Sequence, residues 1–114
     1  MNRCIVIAEA GVNHNGSMKL AKKLIDIAAK SGADIIKFQS FTAENVVTRN
    51  AKKANYQKIS TVKDESQLQM LKKLELNLKS HKKIISHCKK VGIEFLSSPF
   101  DNESISLLKK LRVK

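Results

Sequence analysis

Acidic residues are scarce in this chain, and that scarcity sets its charge. Ten Asp and Glu stand against twenty-two Lys and Arg, a formal net charge of +12 over 114 residues. An excess of this size invites a polyanionic partner. Two further shortages speak against nucleic acid. There are four Phe, one Tyr and no Trp, so no aromatic platform for stacking bases is visible. Arginine is rare beside lysine, and the lysines fall as pairs within helical patterns: Lys22 and Lys23, Lys72 and Lys73, Lys82 and Lys83, Lys89 and Lys90. They read as solvated helix faces. No nucleic-acid partner is expected, with a basic nucleic-acid-binding α/β domain left as an alternative.

Other absences exclude other classes. Proline occurs once, and the apolar fraction of 42% is that of an ordered globular chain, not of a disordered one. No apolar run approaches the ~20 residues of a membrane span. The opening stretch "MNRCIVIAEAG" is interrupted by Glu9 and is too short for a signal peptide, so a cytoplasmic protein with no membrane partner is expected. The two cysteines, Cys4 and Cys88, form no CxxC pair and no zinc-spaced cluster with histidine. They read as reduced, packed thiols. At this length a single domain can bury roughly two thirds of its unfolded surface.

What is present is an alternation of strand and helix signals. A strand is predicted over Cys4 to Ala8, its Ile and Val run reading as buried on both faces. A helix follows over Ser17 to Lys30, capped by Ser17, with Leu20, Leu24, Ile27 and Ala28 at helical spacing. Gly32 stands where glycine closes a helix. A second strand is predicted over Ala33 to Ser40. A longer excursion, Phe41 to Lys63, shows no periodicity. Asp64 and Gln67 have capping-box spacing ahead of a short helix through Leu68, Leu71 and Leu74. Leu78 to Lys90 reads as another helix, with Leu78, His81, Ile85 and Cys88 on one side and Gly92 at its end. Ile93 to Ser98 is the third strand, and Asp101 can cap a last helix carrying Ile105, Leu108 and Leu111. Strands alternating with helices imply right-handed crossovers and a parallel sheet. "AAKSGADIIKF" and "CKKVGIEFLSS" echo one another as helix end, glycine and apolar strand.

Each strand carries a polar exception near its carboxyl end, where ligands bind in parallel α/β folds. Glu9 follows the first apolar run, Lys37 and Gln39 lie within the second, and Ser97 and Ser98 close the third. A lysine inside a strand covered on both faces costs desolvation unless it has a partner. That partner is either Glu9, as a structural ion pair, or a bound phosphate or carboxylate with Glu9 nearby to handle a hydroxyl or proton. Lys37 and Gln39 are two residues apart and share a face of the sheet. His14, in the loop with Asn13, Asn15 and Gly16, reads equally well as part of a turn. His81 and His87 are assigned no role.

These residues carry a family resemblance. "IAEAGVNHNGSMKLAKKLIDIAAKSGADIIKFQSF", continued by "DESQLQMLKKLEL" and "FLSSPFD", closely resembles the start of the N-acetylneuraminate (sialic acid) synthase family, which includes the legionaminic and pseudaminic acid synthases. The resemblance spans about Ile5 to Leu111. It implies an α/β fold: the first three βα units of a TIM (β/α)₈ barrel with a parallel sheet, truncated before the rest of the barrel and an antifreeze-like domain. It implies condensation of phosphoenolpyruvate with an N-acetylmannosamine-type sugar, a divalent metal (Mn or Mg) and a homodimer in the full-length family. It implies that Glu9 acts at the sugar, Lys37 binds phosphoenolpyruvate, Gln39 contacts the sugar, and Asn13 and His14 shape the site. Ser98 stands where many members have threonine, and a hydroxyl that donates to phosphate survives the change. The family's metal-binding histidines lie further along than this chain extends, so no metal ligands are expected here. Residues 1–114 are accordingly expected to be an amino-terminal portion, inactive alone. A non-catalytic module pairing with a full-length synthase is the further alternative. "KKANYQKIS" resembles the legionaminic type.

Overall fold

The computed structural model describes residues 3–47 and 66–114. Three parallel strands, β1 (Ile7–Gly11), β2 (Ile35–Ser40) and β3 (Glu94–Pro99), form one sheet in the order β1-β2-β3. Helix α1 (Met18–Lys30) joins β1 to β2. Between β2 and β3 come a single turn α2 (Ala43–Val46), then α3 (Gln67–Leu74) and α4 (Leu78–Val91); α5 (Asn102–Lys110) follows β3. This is the α/β arrangement of three successive βα units. Among the described residues no helix is long and apolar enough to cross a membrane.

Helix starts follow the local chemistry. Ser17 Oγ accepts from the Leu20 amide, and Asn77 Oδ1 accepts from that of Ser80. Asp101 Oδ1 accepts from the Ser104 amide at 2.7 Å while Oδ2 takes the Thr42 amide at 2.6 Å, so one carboxylate caps α5 and pins the end of β2. Burial alone would push the Asp101 carboxyl up, but these amide donors outweigh it and hold it below its ordinary value. The capping box at α3 is Ser66 with Gln69, not Asp64 with Gln67. Ser66 carries the required hydroxyl one residue before the helix, and Asp64 lies outside the described residues. So does most of the Phe41–Lys63 excursion, "KKANYQKIS" included.

The core lies between the sheet and the helices. Ile36, Phe38 and Phe95 meet Ala21, Ile25 and Ala28 of α1, Ile84 and Cys88 of α4, and Leu108 of α5. The echoed turns are built alike. Ala33 N–H donates to Ala28 O and Ile93 N–H to Cys88 O, so each strand leaves its helix by the same bond.

Several expectations are corrected. β1 begins at Ile7, not Cys4, and ends at Gly11, because pairing starts only where β2 supplies Ile35 as a partner. Among the described residues β1 is an edge strand, and Ile5, Val6 and Ile7 are exposed where burial on both faces was expected. On α1 the buried seam is Ala21, Ile25 and Ala28, leaving Leu20 and Ile27 outside. Ala21 and Ala28 let α1 approach the sheet and α4 closely, with Ile25 filling the space between them. On α4 the seam is His81, Ile84 and Cys88, with Leu78 exposed. On α5 Leu108 is buried and Ile105 exposed. Cys88 is packed, its thiol pushed up to about 12 by burial, but Cys4 is exposed.

Candidate functional site

Alternation along β2 decides which side chains face away from the helices. Ile36, Phe38 and Ser40 are buried under the helix layer, so Lys37 and Gln39 point to the opposite, open face. Sheet register then selects their neighbours. Glu9 of β1 pairs with Lys37, and Lys37 pairs with Leu96 of β3. One step towards the carboxyl ends, Gln39 pairs with Ser98. Four of the six residues expected at the site therefore share one face, at the carboxyl ends of three adjacent strands.

Lys37 Nζ lies 2.8 Å from Glu9 Oε2, with the lysine side chain 33% and the carboxylate 50% exposed. The pair is open to solvent on one side, unlike a buried structural bridge. An anion entering from that side meets an ammonium group whose orientation is already set by Glu9. A half-exposed pair of this kind contributes ~1 kcal/mol or less to stability, so fold stability alone gives little reason for its placement.

Gly11 is a part of the site that sequence reasoning missed. The β1–β2 register slips between Glu9 and Gly11, the mark of a β-bulge, and Gly11 has φ +53. A Cβ on Gly11 would stand 3.4 Å from Glu9 Oε1 and 3.6 Å from Gln39 Nε2. Those are ordinary contact distances, so it is the left-handed backbone at the bulge that calls for glycine beside the two heads. The available signal was glycine two residues beyond a strand carboxylate.

The loop residues are placed differently. Asn13 is exposed and its amide donates to Ala10 O, so it turns the chain. His14 is fully buried, 6.1 Å from the Phe38 ring, and so lies with the helix-side core, not beside Lys37. Its Nδ1 accepts from the Gly16 amide at 2.9 Å, while Nε2 has no partner among the described residues. Burial lowers its pKa. Among the described residues no three His, Cys, Asp or Glu converge so as to hold a metal ion.

A parallel α/β sheet with groups converging at its strand ends is the ligand architecture of barrel and open-sheet enzymes. Comparison with known proteins gives the family. The NeuB family profile matches residues 24–114, and the chain belongs to the NeuB family. It is 61% identical over its whole length to the N,N'-diacetyllegionaminic acid synthase of Campylobacter jejuni, of which it covers 34%. It is 47% identical over 97% of its length to the same-named synthase of Legionella pneumophila, covering 31% of that protein. Among solved structures it resembles the N-acetylneuraminic acid synthetase of Leptospira borgpetersenii, crystallised with citrate. The TM-score is 0.76 at 28% identity, covering 98% of this chain and 34% of that one. The chain thus spans about a third of the length of these relatives, and its three βα units correspond to the first part of their TIM-barrel fold.

Proposed function

We propose that this chain is the amino-terminal portion of a synthase that condenses phosphoenolpyruvate with an N-acetylmannosamine-type sugar to form a nonulosonic acid. The high identity to two diacetyllegionaminic acid synthases supports a 2,4-diacetamido sugar as the acceptor. The observation that carries the reading is the convergence of Glu9, Lys37, Gln39 and Ser98 on one open sheet face.

The chemistry assigns each a task. C3 of phosphoenolpyruvate attacks the aldehyde carbon of the open-chain sugar, and the aldehyde oxygen takes a proton. Water adds to the resulting cation at C2 and loses a proton, and the C2–O bond to phosphate breaks. Lys37 supplies fixed positive charge for the anionic donor, aimed before it arrives. Glu9 holds a sugar hydroxyl or relays a proton, Gln39 binds the sugar, and Ser98 donates to phosphate. A divalent Mn or Mg ion, when bound to the longer protein, would polarise the aldehyde; none of the four residues above is assigned to hold it. The chain alone binds the donor without turning it over, and a homodimer belongs to the longer protein.

Titration of the purified chain with phosphoenolpyruvate, followed by amide shifts, tests this. Shifts centred on Lys37, Gln39 and Ser98 are expected. Lys37→Met abolishes them, and Lys19→Met on the exposed face of α1 does not. Equal effects of the two variants would reduce the binding to nonspecific attraction by a cationic chain. Steady phosphate release requiring both substrates would contradict the assignment as inactive alone.

A further inference from the structure

Behind the open face lies a chain of buried polar groups that the proposed reaction does not use. Ser40 at the end of β2, Ser97 in β3 and His81 on α4 are all buried, Ser40 and His81 at 0% exposure. Ser40 Oγ is 2.7 Å from His81 Nε2 and 2.6 Å from Ser97 Oγ. His81 Nδ1 is 2.9 Å from the carbonyl oxygen of Asn77, the residue that caps α4. The Phe95 ring meets the imidazole edge-on at 6.3 Å.

The proton positions follow from what each atom can do. A carbonyl only accepts, so Nδ1 carries a hydrogen. Burial disfavours the imidazolium, so Nε2 is bare and must accept. Ser40 therefore gives its one proton to His81, and Ser97 gives its proton to Ser40. The direction is single throughout: Ser97 to Ser40 to His81 to Asn77. Every member is satisfied, the condition under which a buried network holds one geometry.

The covalent neighbours of this chain are the site. Ser97 precedes Ser98 and Ser40 follows Gln39, the pair that faces the ligand side in register. Side chains alternate across a strand, so a bond that fixes Ser97 and Ser40 behind the sheet also fixes Ser98 and Gln39 in front. We propose that His81 is a positioning residue for the anion-binding face, holding the carboxyl ends of β2 and β3 together through Ser40 and Ser97. This rests on the donor-binding role given to that face above.

The test uses the full chain, isotopically labelled. Imidazole nitrogen spectra are expected to show a pyrrole-type Nδ1 and a pyridine-type Nε2 for His81, with slowly exchanging hydroxyl protons at Ser40 and Ser97. His81→Phe keeps a planar aromatic ring and removes the acceptor. It is expected to speed exchange of the Phe100 amide, which donates to Ser40 O, by about tenfold, with Leu111 at the end of α5 unaffected. Phosphoenolpyruvate affinity falls by about the same factor, one hydrogen bond's worth. His81→Gln, whose amide oxygen can accept from Ser40, restores most of both. If His81→Phe does not fold, Ser97→Ala removes only the first donor and is expected to shift both readouts the same way. A protonated Nε2, or variants that change neither exchange nor affinity, would overturn the proposal. A wild-type chain that binds no phosphoenolpyruvate would count against the function reading, and the imidazole and exchange data would still decide the strand tie.

Discussion

Gly16 shows how tightly one residue can be specified. It has φ +75, and a Cβ there would stand 2.2 Å from the carbonyl oxygen of Lys73, near the end of α3. A backbone oxygen cannot swing away as a side-chain tip can. The β1–α1 loop therefore docks on α3 only through a residue with no side chain, and the same loop holds His14 against Phe38. Gly16→Ala adds left-handed strain to a backbone clash, and a loss of at least ~2 kcal/mol is expected, read as a lower urea midpoint. Unchanged stability would show that the loop can leave α3 freely.

Helix α4 illustrates an element seated by a titratable group. Its buried seam replaces an apolar residue with His81, and the loop after β1 buries His14 nearby in the same layer, against Phe38. Burial lowers the pKa of both below 6.5, with the Asn77 carbonyl partly opposing it for His81. The unfolded chain then binds protons before the folded one does. Stability is full above the unfolded value of 6.5 and is lost as pH falls below it, by at most ~1.4 kcal/mol per pH unit per histidine. Urea midpoints at pH 7.5 and 5.5, about a unit either side, are expected to differ in that direction, and His81→Gln to flatten the slope. A midpoint that rises on acidification, in wild type and unchanged by His81→Gln, would contradict this.

At the scale of the whole molecule, charge acts against compactness. A net +12 on 114 residues repels itself. The described ion pairs, such as Lys72–Glu44 at 2.8 Å and Lys114–Glu94 at 3.3 Å, are solvent-exposed and individually weak. Screening therefore relieves more repulsion than it removes attraction. Raising sodium chloride from about 20 mM to about 500 mM, which shortens the Debye length severalfold, is expected to raise the Tm by a few degrees. A fall in Tm would show that ion pairs outweigh the net repulsion. Among the described residues β1 is an outer strand of the sheet, and Ile5, Val6 and Ile7 are exposed, as are Leu20 and Ile27 of α1.

By itself the sequence determined the order of elements, the parallel sheet and the shared face of Lys37 and Gln39, because these depend on periodicity, caps and helix-ending glycines within a few residues. It also carried the family resemblance that names Glu9, Lys37, Gln39 and Ser98. Tertiary structure alone decided that Glu9 meets Lys37 and Ser98 stands opposite Gln39, since strand register is set by pairing between distant segments. It decided that Gly11 sits at a left-handed bulge beside Glu9 and Gln39, that His14 packs against Phe38, and that His81, unassigned from sequence, joins a buried hydrogen-bond chain. It also turned α1 so that Ala21 and Ile25, not Leu20 and Ile27, meet the sheet. An apolar stripe on a helix says which residues can be buried; only the neighbours it packs against say which of them are.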